Sequence, residues 1–542
     1  MRFGLAVQLL VFGVSVLAAR VQVTWDVGYK SISRDGFSTW RAIGANGQVP
    51  IPPIYVTQGD VLELTAINHL DKPITLHAHG LFQRNSTFYD GVGMVTECGI
   101  PPGGQYTYMI DTGEQHGLYF IHGHYGLEMS EGLRAPFIIQ EKEQSTEYDE
   151  DILLTLEDWG QQPEGELIER LKQVSTDSLP NDYKTGLVNG INGNISQTVQ
   201  FECNRRYRIR VLNIGLDQSF KVQIPGHTMH VIEADGVTTK PLRVDGLDLA
   251  PGQRYSVIVQ ALESDEFNYG LNVTMYADFL DPVPGLTPRY YPQVIEYRKG
   301  ASMREYAQQS DDALVWPDDF TLEPRDECEM GSADRVIELN KRNYLPGMGL
   351  PYYGLGNASY ASVRVPTMLS ALTMGDLARD PLVYGPQSSV IVLNYMENVE
   401  LVVRNGMNRS HPMHVHSRVF QVVERGPWGD AQAMGKRVVP LQVARPNNPM
   451  RRDTVVLPEF GYIKLRFKAD LPGAVSIVHC HTEHLAQGMA VVLVEAPRVL
   501  QQNARVPQAL LDNCRALGFP ISGNGAGNQG YDLTGLPPAI AL

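Results

Sequence analysis

The chain has 542 residues, 43% of them hydrophobic and 19% charged, a composition that folds and buries large cores without help from disulfides. Its net charge of −15, from 45 basic and 60 acidic residues, argues against a nucleic-acid partner and against adhesion to an anionic membrane surface. Many Gly, Pro and Tyr with few charges point to a turn-rich β protein, and the five Cys are too few for a disulfide framework.

In chain order, Arg2, the apolar stretch Phe3 to Leu17 and the small pair Ala18–Ala19 read as a secretory signal peptide over residues 1–19. The apolar run is shorter than the ~20 residues a membrane span needs, so no anchor is expected after cleavage, and the destination is the secretory lumen or the outside. Five N-x-S/T sequons, at Asn85, Asn194, Asn272, Asn357 and Asn408, accord with that route and are candidate glycosylation sites.

Residues 20–145 alternate short apolar strands such as Val61–Ala66 and Gly117–Ile121 with Pro/Gly turns. The charged run Glu141 to Asp151 reads as a linker. Residues 146–300 begin again with strands, among them Tyr207–Leu212, and a second polar stretch follows from Arg298 to Ala333. Residues 320–500 repeat the style, and residues 501–542 form a tail with one helix over 506–517. At about 150 residues per domain the length allows three or four domains, and three β segments fit three sandwiches. An internal echo supports repetition: 59–66 lead through Asn68 to His77, and 397–403 lead through Asn405 to His411. The middle segment has strands but no His cluster and looks structural.

Fourteen His are present, and eight fall in four His-x-His pairs: His77/His79, His122/His124, His414/His416 and His479/His481. Residues i and i+2 of a strand project to one face, so each pair presents two imidazoles side by side. Imidazole suits Cu, Zn, Fe and Ni. The last pair narrows the choice, because Cys480 lies between its members and points the other way on an extended chain. One Cys, two His (His411 and His484) and Met489 form the donor set of a blue-copper electron-transfer site. The Cys480 backbone would join that site to the multi-imidazole cluster, an arrangement suited to one-electron oxidation at one end and multi-electron reduction at the other. His69, His116, His227 and His230 match no such pattern and read as surface or packing residues.

These segments resemble the multicopper oxidases, the family of laccases, ascorbate oxidase and yeast-type ferroxidases. The match is carried by His77-Ala78-His79-Gly80, Phe120-Ile121-His122-Gly123-His124, His411-Pro412-Met413-His414-Val415-His416, and His479-Cys480-His481 through Met489, in the family's order. The resemblance implies an all-β chain of three cupredoxin-like Greek-key sandwiches holding four copper ions. His411, Cys480, His484 and axial Met489 would bind type 1 copper. His77 and His414 would bind type 2, and His79, His122, His124, His416, His479 and His481 the type 3 pair. Asp90 and Glu483 match acids that move protons during O2 reduction, which needs four protons as well as four electrons. Cys98 and Cys514 resemble a pair that ties the first domain to the tail in laccases, whereas Cys203 and Cys328 are left either paired or free. Two departures stand out. Only Thr482 and Glu483 separate His481 from His484, one residue fewer than usual, and Ala78 replaces a bulky aromatic.

Gly80-Leu81-Phe82-Gln83 and the stretch from Met450 to Asp470 resemble the ascomycete ferroxidase and pigment-oxidase branch. Its ferroxidases carry an acid four positions before the first His of the His-Pro segment, and this chain has Met407 there. With no anchor either, the expectation is a laccase-like enzyme, acting as a monomer. It would oxidise phenols, such as polyketide naphthols of pigment or secondary-metabolite biosynthesis, by one electron to radicals that couple, and reduce O2 to water. A ferroxidase using acids elsewhere, Asp177 among them, is the alternative within enzymes, and a copper-binding protein without turnover is the alternative outside them.

Overall fold

The computed structural model describes the chain apart from residues 1–17, 35, 37–38, 161–182, 277–287, 308, 345–351, 357, 408, 431, 433–437, 472, 481–484 and 537–542. The fold is all-β, three cupredoxin-like sandwiches in succession. In the first, a sheet ordered Trp40–Ala45, Arg20–Ile32, Val61–Asn68, Gln105–Asp111 packs on a sheet ordered Ile54–Thr57, Arg134–Gln140, Gly117–Gly123, Leu76–His79. The second pairs a seven-stranded with a five-stranded sheet, and the third a six-stranded with a five-stranded sheet.

The repetition echoed in the sequence has a structural basis. Each sandwich opens with one strand laid parallel to the next sheet strand: Arg20–Ile32 on Val61–Asn68, Glu150–Gly160 on Arg206–Asn213, and Arg335–Asn340 on Asn398–Asn405. Each second strand ends on a fully buried Asn. Asn68 donates to the carbonyls of Lys72 and Ile100 and accepts from Leu70 N–H. Asn213 donates to Gln218 and Leu249 and accepts from Gly215. Asn405 donates to Arg409 and Pro458 and accepts from Met407. An Asn side chain can close a turn on its own backbone while satisfying two further carbonyls, so one residue stops the strand and fixes the loop after it.

Burial separates the two kinds of strand. Val61–Asn68 alternates, with one face covered and the other half-exposed, whereas Leu76–His79, Gly117–Gly123, His411–Val415 and Val475–His479 are buried throughout. The His-bearing strands are therefore covered on both faces, where the first and third sandwiches meet. One continuous core joins Leu64, Ile121 and Phe137 of the first sandwich to Val475, Ile477 and Val492 of the third. The stretch read as a second linker is laid against the middle sandwich, with Pro324 bridged to Thr239 and Lys240 N–H donating to Glu323 O.

The tail carries the helices Pro497–Asn503 and Gln508–Ala516. Cys514, on the second, is disulfide-bonded to Cys98, 416 positions away. Cys203 and Cys328 are free thiols, half-buried and exposed respectively. Among the described residues no helix is long and apolar enough to cross a membrane.

Two predictions concern stability. Cys514→Ser releases the tail helix from the first sandwich, and calorimetry is expected to show a melting temperature lowered by a loss of ~2–5 kcal/mol. Glu97, beside Cys98, is fully buried, and burial pushes its carboxyl up to about 8 although the Tyr108 hydroxyl donates to it at 2.8 Å. The folded chain therefore holds a proton there that the unfolded chain releases near 4.5. The associated stability is complete below that value and is lost as pH rises towards 8, to a total on the order of 5 kcal/mol. Glu97→Gln keeps the Tyr108 contact and should flatten the melting profile across this window. An unchanged slope would show that Glu97 ionises freely.

Candidate metal centre

The Leu76–His79 and Gly117–Gly123 strands pair so that His77 faces His122, and His411–Val415 pairs with Val475–His479 so that His414 faces His479. His124, His416 and Cys480 each follow directly on their strands. Two sandwiches thus contribute two adjacent strands each, and the imidazoles converge across the seam. The rings of His77 and His416 stack at 3.8 Å, and those of His79 and His414 at 3.6 Å. Three imidazole triads bring their ligand nitrogens within 4.8 Å of one another: His77/His414/His416, His77/His79/His122 and His124/His416/His479.

Ring orientation is set by hydrogen bonds on the outer nitrogen. Nδ1 of His77 bonds to the Asp90 carbonyl at 2.7 Å, that of His122 to Gly123 O at 2.9 Å, and that of His414 to Asp453 O at 2.9 Å. His479 Nδ1 bonds to the Cys480 carbonyl, and His416 Nδ1 to Asp90 Oδ2 at 2.9 Å. An acceptor on Nδ1 places the proton there and turns the Nε2 lone pair inward. His79 is reversed: its Nε2 meets Thr454 Oγ1 at 3.0 Å, which leaves Nδ1 for the cluster.

The donor set fits a metal. Nε2 of His77 and of His414 is buried with no hydrogen-bond partner, an arrangement that costs desolvation energy unless a cation takes the lone pair. His479 Nε2 meets His416 Nε2 at 2.9 Å and His124 Nε2 at 3.3 Å. Nitrogens whose protons are already on Nδ1 have lone pairs that only a proton or metal between them reconciles. Burial, reinforced by neighbouring imidazoles, holds His79, His122, His124, His414 and His416 well below the usual histidine range, and His479 at about 4. They are neutral, the form that binds metal.

Asp90 braces two of these rings and accepts from Ser417 Oγ at 3.3 Å. Its position depends on Gly91, at φ +75°, where a Cβ would lie 1.8 Å from the Leu76 carbonyl oxygen. On the other side of the Cys480 backbone, Cys480, His411 and Met489 are fully buried together, with Sγ 3.5 Å from His411 Nδ1. His481, Glu483 and His484, and with them the shortened loop, lie outside the described residues, as do Asn357, Asn408 and Asp177. Asn85 and Asn194 are exposed, and Asn272 is half-buried and accepts from the Tyr290 hydroxyl at 2.6 Å. The remaining His stand away from the cluster: His69 contacts Asp26, His116 contacts Glu141, and His227 bonds to the Tyr297 hydroxyl.

Behind the rings stands a buried bracket that no motif announces. Asp453 lies 3.4 Å from His79 Nε2 and 3.7 Å from His414 Nδ1, and accepts both Nη atoms of Arg254 at 2.7 and 2.8 Å. Arg254 belongs to the middle sandwich and also donates through Nε to the Leu118 carbonyl of the first. The middle segment therefore reaches the metal centre, contrary to the expectation that it is only structural. Arg254 was hard to find because nothing around it in the sequence is unusual. A cleft of about 460 Å³ opens between the second and third sandwiches beside Ser410, next to His411. Asp248, Asp318 and Asp319 line it, against Arg425 and Arg452.

Three family models described as Multicopper oxidase match residues 26–144, 150–287 and 360–499. The chain belongs to the multicopper oxidases. It is a copper-dependent oxidoreductase that uses O2 and a reducing substrate. Among its relatives are the Iron transport multicopper oxidase FET5 of Saccharomyces cerevisiae and the Iron multicopper oxidase fer1 of Mycosarcoma maydis. The first is 34% identical over 96% of this chain and 88% of its own length. The second is 32% identical over 96% and 87%. The crystal structure of Fet3p, titled as a multicopper oxidase that functions in iron import, superposes with TM-score 0.87 at 29% identity, covering 96% of this oxidase and 98% of that chain. A laccase from Botrytis aclada gives 0.77 at 24% identity over 93% of each chain and shares the fold.

These relatives overturn the phenol-oxidising, laccase-like expectation. That expectation rested on Met407 and on the lack of an expected anchor, yet a cation can draw its carboxylates from any segment that reaches the electron-entry side. In this oxidase Asp217 is ion-paired with Arg409, and buried Glu459 donates its N–H to Ser410 Oγ at 3.3 Å, next to His411 in the chain.

The bracket can be tested. Arg254→Leu leaves Asp453 buried without its cation, while Asp235 keeps Arg452, and is expected to lower stability by ~3–5 kcal/mol. Arg254→Leu/Asp453→Leu should recover part of that loss in thermal melts. Equal melting temperatures for the single and double variants would show that the pair is not coupled.

Proposed function

We propose that this oxidase is a ferroxidase, taking one electron from each Fe(II) and passing four to O2. The observation that carries the reading is the run of iron-named relatives, 31–34% identical over nearly the whole chain. The acidic balance of −15 and the three carboxylates of the cleft beside Ser410 support it, since they favour a small divalent cation over a neutral ring.

The division of labour follows the donors. His411, Cys480, His484 and Met489 are assigned to the electron-entry copper. His77 and His414, whose Nε2 atoms are buried and unbonded, are assigned to one ion of the cluster. His79, His122, His124, His416, His479 and His481 are assigned to the other two. Copper, when bound, supplies one-electron acceptance at the thiolate end and four-electron reduction of O2 at the imidazole end. The chain supplies the link between them: His479 and His481 are the peptide neighbours of Cys480, so the thiolate site and the cluster share one short backbone. Asp90 holds a carboxylate against His416 Nδ1 and Ser417 Oγ, and with Glu483 is assigned to proton delivery. Entry to the secretory route through residues 1–19, with glycans on the exposed Asn85 and Asn194, belongs to the same reading.

O2 uptake by copper-loaded protein should saturate with Fe(II) and exceed that with any simple phenol. Met407→Asp is expected to lower KM for Fe(II) several-fold. Turnover of phenols with no Fe(II) oxidation would refute the proposal.

A further inference from the structure

The sequon Asn85-Ser86-Thr87 lies where three parts of the chain meet. A groove runs there between the first sandwich, the third sandwich and the tail. Phe88, Leu471 and Leu500, one from each part, give it an apolar lining, and all three are more than nine-tenths buried. Asn85 from the first sandwich and Asn503 and Ala504 from the tail complete the lining. The space within the groove, about 20 Å³, admits a methyl group or a water molecule but not a sugar ring.

The members of the sequon differ sharply in what they are free to do. Asn85 is exposed, at φ +58°, a left-handed conformation that Asn tolerates. Ser86 Oγ donates to Gln83 Oε1 at 3.2 Å. Thr87 is buried, and its hydroxyl donates to the Val475 carbonyl at 3.0 Å and accepts from the Val475 N–H at 3.1 Å. The sequon hydroxyl therefore joins the first sandwich to the third, and a glycosylating enzyme can read it only before the two dock. Transfer forms a bond from Asn85 Nδ2 to C1 of the first sugar. Nδ2 loses one proton, and the diphosphate lipid that carried the oligosaccharide leaves. The sugar is then already in place when the groove forms around it.

We propose that the N-acetylglucosamine carried by Asn85 acts as a clamp, with its acetamido methyl in the groove and its ring over the mouth, tying the tail to the first and third sandwiches. The acetamido group stands on the carbon next to the linked one, so attachment at Asn85 puts it beside the apolar lining. Covering that lining removes apolar surface of three separate segments from water. The inference rests on the glycosylation reading of Asn85 and is independent of the iron reading.

The test uses copper-loaded full-length protein secreted from a host that attaches high-mannose chains. Peptide mass spectrometry is expected to find Asn85 occupied. Endoglycosidase H, which leaves one sugar on the Asn, should not change the melting temperature. PNGase F should release the Asn85 glycan from denatured protein but not from native protein. Asn85→Gly suits the local φ and abolishes the sequon. It should lower the melting temperature by ~2 °C or more and speed hydrogen exchange across Pro497–Asn503, whereas Asn194→Gln changes neither. Ala504→Phe fills the groove with the sequon intact and should make the Asn85 glycan sensitive to PNGase F in the native protein. An unoccupied Asn85 overturns both the glycosylation reading and the clamp. An occupied Asn85 whose glycan PNGase F removes from native protein overturns the clamp alone, as does unchanged tail exchange in Asn85→Gly or unchanged resistance in Ala504→Phe.

Discussion

Arg254 ties the three sandwiches together at one fully buried point. Its backbone belongs to the middle unit, its Nε serves Leu118 of the first, and its two Nη atoms clasp Asp453 of the third. Burial alone would lower its basicity, but Asp453 and Asp235 outweigh that and keep it charged. Burial alone would likewise raise the Asp453 carboxyl, and Arg254 holds it down. Neither residue could be buried alone, because a lone charge in such a place costs far more than the pair. The pair therefore exists only when all three units are in place, and the imidazoles depend on it. Gly80, directly after His79, lies so close that a Cβ there would fall 2.6 Å from Asp453 and 2.9 Å from Arg254. The Asp453 carbonyl and its neighbour Thr454 also fix the rings of His414 and His79.

This arrangement answers a general difficulty. Neutral imidazoles aimed at a common centre do not attract one another, and the apolar contacts of four buried strands would not by themselves fix ring rotation. The anchors on Nδ1, mostly backbone carbonyls, supply the missing constraint without adding charge beside the metal. Among the described residues two carboxylates, Asp90 and Asp453, come close, and the second is already neutralised. Asp90 is the one left beside the cluster without an Arg partner among the described residues, which is why it suits proton delivery and Asp453 suits rigidity.

Most of the ligand constellation was legible in the sequence, because a strand converts spacing into direction: each His-x-His pair must share a face. The echo of 59–68 in 397–405 likewise showed two of the strand repeats, ending on Asn68 and Asn405; the third, ending on Asn213 with the same three hydrogen bonds, is seen only in the structure. What stayed hidden was long-range pairing between common residue types. Arg254 and Asp453 are 199 positions apart, and neither sits in an unusual setting. Nor could spacing show that Asp90 serves His77 through its backbone and His416 through its side chain. That depends on a glycine whose bare α-carbon packs against Leu76.

The substrate reading failed for a related reason. A ligand motif states which atoms touch the metal, whereas an iron site at the protein edge is a matter of field and access, which several segments share. Met407 is one position on one loop. Elsewhere the fold holds Asp217 on Arg409, Glu459 beside Ser410, and Asp248, Asp318 and Asp319 along the cleft beside Ser410. Four of these five come from outside the third sandwich proper: Asp217 and Asp248 from the second, and Asp318 and Asp319 from the segment that joins them. Electron transfer from iron then makes a demand that phenol oxidation does not: the donor leaves with more positive charge than it brought. On the ferroxidase proposal, acids spread along an open cleft, several of them tempered by Arg partners, would favour the entry of Fe(II) without holding Fe(III) as tightly as a closed carboxylate cage.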